Sequence, residues 1–178
     1  ITISDEAMDM GGEAFLRYIY DEITYQITRK ASDILINLIL DAPTETTTEA
    51  IGVSEIQSDE ITQALIVEAL GTLSDYARNP VIIMNRATYA AFKAVQYAGQ
   101  FNTDIFEGLD IVFSDSLPSF AEAAAGETYA IVGDLGRGAL ANFPNGQEVR
   151  IKYDDLSLAE LDLVKIVGRE YVALGIVA

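Results

Sequence analysis

The sequence predicts an α+β fold, with one long helix first and short strands after it. Three observations carry this. Apolar residues recur at three- and four-residue steps from Phe15 to Leu38. The second half breaks into short strand-forming runs bounded by Gly, Pro, Asn and Ser. Half of the 178 residues are apolar and only 22% are charged, enough to bury a core in one substantial domain or two small ones.

Ile1-Thr2-Ile3 reads as a strand already under way, which leads to the expectation of a longer polypeptide cut or truncated upstream. Ser4, with Asp5 and Glu6 behind it, has the chemistry of a helix N-cap with acid in the first turn. Gly11-Gly12 breaks that short helix. From Glu13 onward Phe15, Leu16, Ile19, Ile23, Ile27, Ala31, Ile34, Leu35 and Leu38 form one stripe. A helix from Glu13 to about Leu40 would be about 42 Å long. Its many β-branched residues are mediocre helix formers, so packing must hold it.

Asp41-Ala42-Pro43 stops the helix, and Thr44 to Ser58, rich in Thr and Glu, reads as a loop or exposed ribbon. Ser58-Asp59 is expected to start a second helix through Ile61, Leu65, Ala69 and Leu73. Arg78-Asn79-Pro80 launches the strand Val81 to Met84, and Asn85 caps a third helix with an apolar face of Ala87, Ala90, Ala91, Ala94 and Val95.

Strand patterns follow at Leu109 to Phe113 and Tyr129 to Val132. Ala139 to Phe143 and Val149 to Tyr153 flank Asn145-Gly146, a strong short-range hairpin signal. Leu161 to Val167 and Tyr171 to Val177 are expected to pair antiparallel across a turn near Gly168-Arg169. No repeat of solenoid period is present.

The balance of 28 acidic to 11 basic residues gives a net charge of -17. Nucleic-acid affinity depends on Lys and Arg neutralising phosphates, and Arg29-Lys30 is the only adjacent basic pair, so direct nucleic-acid binding is not expected. The chain has no Cys, His or Trp, which excludes disulfides, Cys/His zinc sites, thiol nucleophiles and His-dependent triads. The most apolar run, Ile34 to Leu40, is too short to span a bilayer.

Several residues nonetheless invite chemistry. Gly133, Gly136 and Gly138 follow a strand with Asp134 among them, yet neither the dinucleotide nor the P-loop spacing is met and strand signals come next. A structural turn is expected. Asp5, Glu6 and Asp9, and again Asp154, Asp155 and Glu160, lack the spacing of a calcium loop and read as solvated charge. Tyr18 and Tyr25 lie on the long helix without the basic groove of a stacking platform, and read as packing or subunit contacts. Ser74, Ser114 and Ser116 have no nucleophile elbow and no His partner. No catalytic, cofactor-binding or metal residue is assigned.

The order of segments is more informative than any one motif. Five stretches matter: ITISDEAMDM leading into the long helix, NPVIIMNRATYAAFKAV, IFEGLDIVFSDSLP, YAIVGDLGRGAL and KIVGREYVALGIVA. In this order they resemble the major capsid proteins of tailed bacteriophages, whose fold is shared by encapsulin nanocompartment shells. The resemblance spans nearly the whole chain; each motif alone is weak.

The resemblance implies a phage major-capsid fold: a peripheral domain with a long spine helix and an elongated antiparallel sheet, and a mixed α/β axial domain. Residues 1–58 and 149–168 would be peripheral and 59–148 axial, with the terminal strand in 169–178 belonging to either. It implies a structural shell protein and no enzyme. The chain would assemble through hexamers and pentamers into an icosahedral phage or prophage head, located in the virion and put together in the bacterial cytoplasm. A scaffolding protein or maturation protease and a portal are the implied partners, with no cofactor, metal or membrane.

The family's N-terminal arm and extended loop precede the Ser-led helix and are not in this sequence, and with that loop goes the lysine of the crosslink some relatives form. Alternatives are an encapsulin-like shell, a nucleotide- or metal-dependent enzyme built on Asp134 and the glycine turn, and an adhesin or tail component.

Overall fold

A computed structural model describes residues 1–42, 53–99, 104–144, 146, 149–154 and 156–176. In chain order the elements are β1 (Thr2–Ser4), α1 (Asp5–Leu40), α2 (Gln63–Gly71), β2 (Val81–Met84), α3 (Arg86–Ala98), β3 (Asp110–Phe113), β4 (Ala130–Gly133), α4 (Leu135–Gly138), β5 (Ala139–Asn142), β6 (Arg150–Asp154), a 3-10 turn (Ala159–Leu161), β7 (Leu163–Arg169) and β8 (Ala173–Ile176). The fold is α+β, as the sequence predicts. The chain clusters into two compact units, Ile1–Leu35 with Ala141–Leu174 and Ile36–Leu140 with Gly175–Ala178.

In the first unit Ser4 caps the helix that follows, its Oγ accepting from the Ala7 amide at 3.2 Å. Gly12 then takes φ +58° and ψ -166°, outside the helical region and open at little cost only to glycine. The helix therefore breaks at the expected pair, and the spine runs over 13–40. Its four-residue stripe buries Ile19 and Ile23 against Val164 and Ile166, with Ile3, Phe15, Ile27, Val149 and Ile151 packed around them. Fully burying one such aliphatic side chain is worth about 1.5–3 kcal/mol.

The sheet under the spine is ordered β1-β7-β6 and is antiparallel throughout. Its register sets Ile3 across from Val164 and Ile151 across from Gly168 on the covered face. On the other face Thr2 lies across from Lys165, Lys152 from Val167 and Arg150 from Arg169. Strand side chains alternate faces, so β7 buries Val164 and Ile166 while exposing Lys165 and Arg169.

The second unit centres on β2, which pairs parallel with β3 and antiparallel with β4. β2 buries three consecutive residues, Ile82, Ile83 and Met84. Ile82 and Met84 join Ile66, Phe92 and Phe106, while Ile83 joins Ile36 and Leu117. Asn85 ends the strand and caps α3, its Oδ1 accepting from the Ala87 amide at 2.9 Å and its Nδ2 donating to the Leu117 carbonyl at 3.3 Å.

Three expectations about the helices are corrected. The second helix begins at Gln63, because Ser58 closes a local turn in which its Oγ bonds both backbone groups of Glu60. On α3 the buried residues are Thr88 and Phe92, and Ala87, Ala90 and Ala94 are exposed. Phenylalanine buries far more area than alanine, and the Thr88 hydroxyl is satisfied by the Phe120 amide at 2.9 Å. On the spine Ile34 is exposed and Ile36, off the stripe, is buried.

The strand pairing also differs. β5 pairs with β8, and β6 pairs with β7, so neither expected hairpin forms. Asn145 itself lies outside the described residues, as do Thr44 to Gly52 of the Thr- and Glu-rich stretch and Val177. The actual connection from β6 to β7 is closed by Asp154 and by Asp162, which takes a left-handed φ of 56° that Asp tolerates better than most residues.

Candidate functional site

The glycine turn after β4 is where sequence chemistry was most suggestive. Asp134 Oδ2 accepts from the Arg78 amide at 2.9 Å and from the Asn79 amide at 3.4 Å, while its carbonyl accepts from Arg137 and Gly138. The bond from Arg78 in the first place, helped by those from Asn79 and Gly136, holds its carboxyl below the usual carboxylate range. The side chain thus ties the exit of β4 to the loop entering β2. α4 is a single turn of four residues, Leu135–Gly138, and β5 follows at once. A strand follows Gly138, as expected, and Asp134 is committed to the backbone.

The acidic groups behave similarly. Asp154 accepts from the Ser157 hydroxyl at 2.5 Å and from the amides of Ser157 and Leu156 at 3.0 and 3.2 Å. The Ser157 hydroxyl is the main reason its carboxyl is held low. Glu6 and Glu160 are exposed, and the side chains of Asp5 and Asp9 and all of Asp155 lie outside the described residues. Among the described residues no three acidic side chains are grouped so as to hold a metal ion.

Ser74 Oγ accepts from the Tyr76 amide and Ser114 Oγ from the Ser116 amide, each closing a short turn. Tyr18 and Tyr25 are 65% and 60% exposed, which removes the packing role within the chain and leaves them on the solvent side of the spine.

Two features had no sequence signal. One is Lys93, whose Nζ lies 2.6 Å from Asp104 Oδ1 and 3.1 Å from Gln96 Oε1, near the rings of Phe106 and Tyr89. The bond to Asp104 keeps the ammonium charged and ties α3 to the segment before β3. The other is a shallow groove of about 270 Å³ beside α1, lined by Ile1, Ile23, Gln26, Ile27, Ile166, Val167 and Gly168. Its walls are the apolar edges of a helix lying on a sheet.

No helix among the described residues is long and apolar enough to cross a membrane. No curated protein and no solved structure shows significant similarity to the chain. The family model described as Phage capsid family matches residues 1–178. That match covers the stripe of the spine, the buried strand with its Asn cap and the glycine turn alike, and by it the chain belongs to the phage capsid family, a family of structural shell proteins.

Proposed function

We propose that this chain builds the icosahedral head of a tailed phage or prophage, assembling through hexamers and pentamers into a shell that encloses the genome. The observation that carries the proposal is the family match over residues 1–178. The spine over 13–40, with sheet packed on it, supports the same reading. Residues 1–58 and 149–168 would form the peripheral domain and 59–148 the axial domain. The clustering of the chain into two compact units supports a two-domain division. The virion is then its location, with a scaffold or maturation protease and a portal as partners. The net charge of -17 supports a shell that does not hold its genome by direct contact.

The test is negative-stain electron microscopy of the protein expressed in its full natural context, alone and with its scaffold. Closed shells, or rings of six and five, are expected. Particles carrying a cargo protein in place of DNA would move the chain to the encapsulin-like alternative. A protein that stays monomeric at high concentration across salt conditions would sink both.

A further inference from the structure

The antiparallel sheet of the first unit has one face on the spine and one open face, and the charge on the open face opposes that of the whole molecule. Arg150 and Lys152 of β6 and Lys165 and Arg169 of β7 are all exposed there. Arg150 lies directly across from Arg169, and Lys152 sits diagonal to both Lys165 and Arg169. Asp154, across from Lys165, is the one acidic residue in the paired register. Four of the 11 cations therefore share one small face, leaving seven cations to 27 acidic residues elsewhere.

Charged residues on an edge strand commonly prevent edge-to-edge pairing, which would account for Arg150 and Lys152. It does not account for Lys165 and Arg169, which lie on the central strand of the three. Like charges placed directly opposite across a sheet destabilise the isolated subunit. An anionic surface laid over this face would relieve that repulsion.

We propose that this open basic face docks the acidic surface of a second copy of the chain, a step that rests on the shell-forming function above. Charge complementarity selects the occupant. The unit made of Ile36–Leu140 and Gly175–Ala178 carries fifteen Asp and Glu against four Arg and Lys in its sequence, so every copy supplies both halves of the contact. A basic face of one copy on an acidic face of the next is a heterologous contact, the kind that repeats around a ring. Duplex DNA fits less well, because the rest of the molecule repels it.

The experiment compares the full-length protein with Lys152→Glu/Lys165→Glu and with a charge-matched control, Arg17→Glu/Lys30→Glu, altered at exposed positions of the spine. Self-association is followed by sedimentation velocity at low and high salt, and folding by circular dichroism. The basic-face variant is expected to lose roughly tenfold or more in association while melting like the wild type, with the control close to wild type. Should the glutamates prevent folding, Lys152→Gln/Lys165→Gln gives the same comparison with charge removed.

A folded basic-face variant that associates as well as the control overturns the docking face but leaves the shell function standing. A wild type that does not associate at all overturns both. Duplex DNA retarded by the wild type and not by the variant, with association unchanged, would make the face a phosphate surface and overturn the proposal.

Discussion

The two three-stranded sheets bury their residues by opposite rules, and the contrast shows how strand sequence encodes its surroundings. β7 alternates, with Val164 and Ile166 buried and Lys165 and Arg169 exposed, because only one face of its sheet is covered. β2 does not alternate. Ile82 and Met84 enter one apolar cluster and Ile83 another, so both faces of the strand are packed and its sequence is a continuous apolar run. The same backbone geometry thus accepts four cations in one unit and none on the central strand of the other.

The largest test of that contrast is truncation on each side. Met84→Ala and Ile83→Ala should each destabilise the protein by about 2–5 kcal/mol in urea unfolding, one for each face of β2. In β7 Ile166→Ala should do the same, while its neighbour Lys165→Ala stays within about 0.5 kcal/mol. Equal sensitivity at Lys165 would mean that the outer face of that sheet is not open.

Gly168 probes how tightly the covered face is closed. A Cβ there would run into Ile23 Cγ2 of the spine, so Gly168→Ala should cost about 1–3 kcal/mol, whereas Gly175→Ala, with open space around it, should be close to neutral. Thermal melts of the two variants decide it. A smaller effect is expected at the cap following β2: Asn85→Ala loses the bond to the Ala87 amide and should cost about 1 kcal/mol, measured by urea unfolding.

The weakest effect is in pH. Asp134 has a folded-state pKa below its unfolded value, so its contribution is fully present above the unfolded value and is lost as pH falls through the folded one. Melting temperature should decline below about pH 4, and Asp134→Asn should flatten that decline. An unchanged acid limb in the variant would remove Asp134 as a tie between the β4 exit and the loop at Arg78.

Sequence alone determined what depends on neighbours along the chain. The Ser4 cap, the break at Gly12, the spine stripe through Ile19 and Ile23, the strand before Asn85 and its capped helix all follow from side-chain chemistry within a few residues. The strand that follows Gly138 was legible too, since strand-forming residues and no long helical run come after it.

Only the tertiary structure decided which strands pair and which helix faces are covered. Strand patterns specify a face but not a partner, so the Asn145-Gly146 signal lost to the pairing of β6 with β7, which sets Ile151 and Ile166 in one apolar cluster against the spine. On α3 alanines and aromatics offered two apolar faces, and the bulk of Phe92 settled which went inside. The basic face belongs with these. Arg150, Lys152, Lys165 and Arg169 are dispersed in sequence, and they become one surface because antiparallel pairing brings residues far apart in the chain to within a strand spacing, roughly 5 Å, of one another.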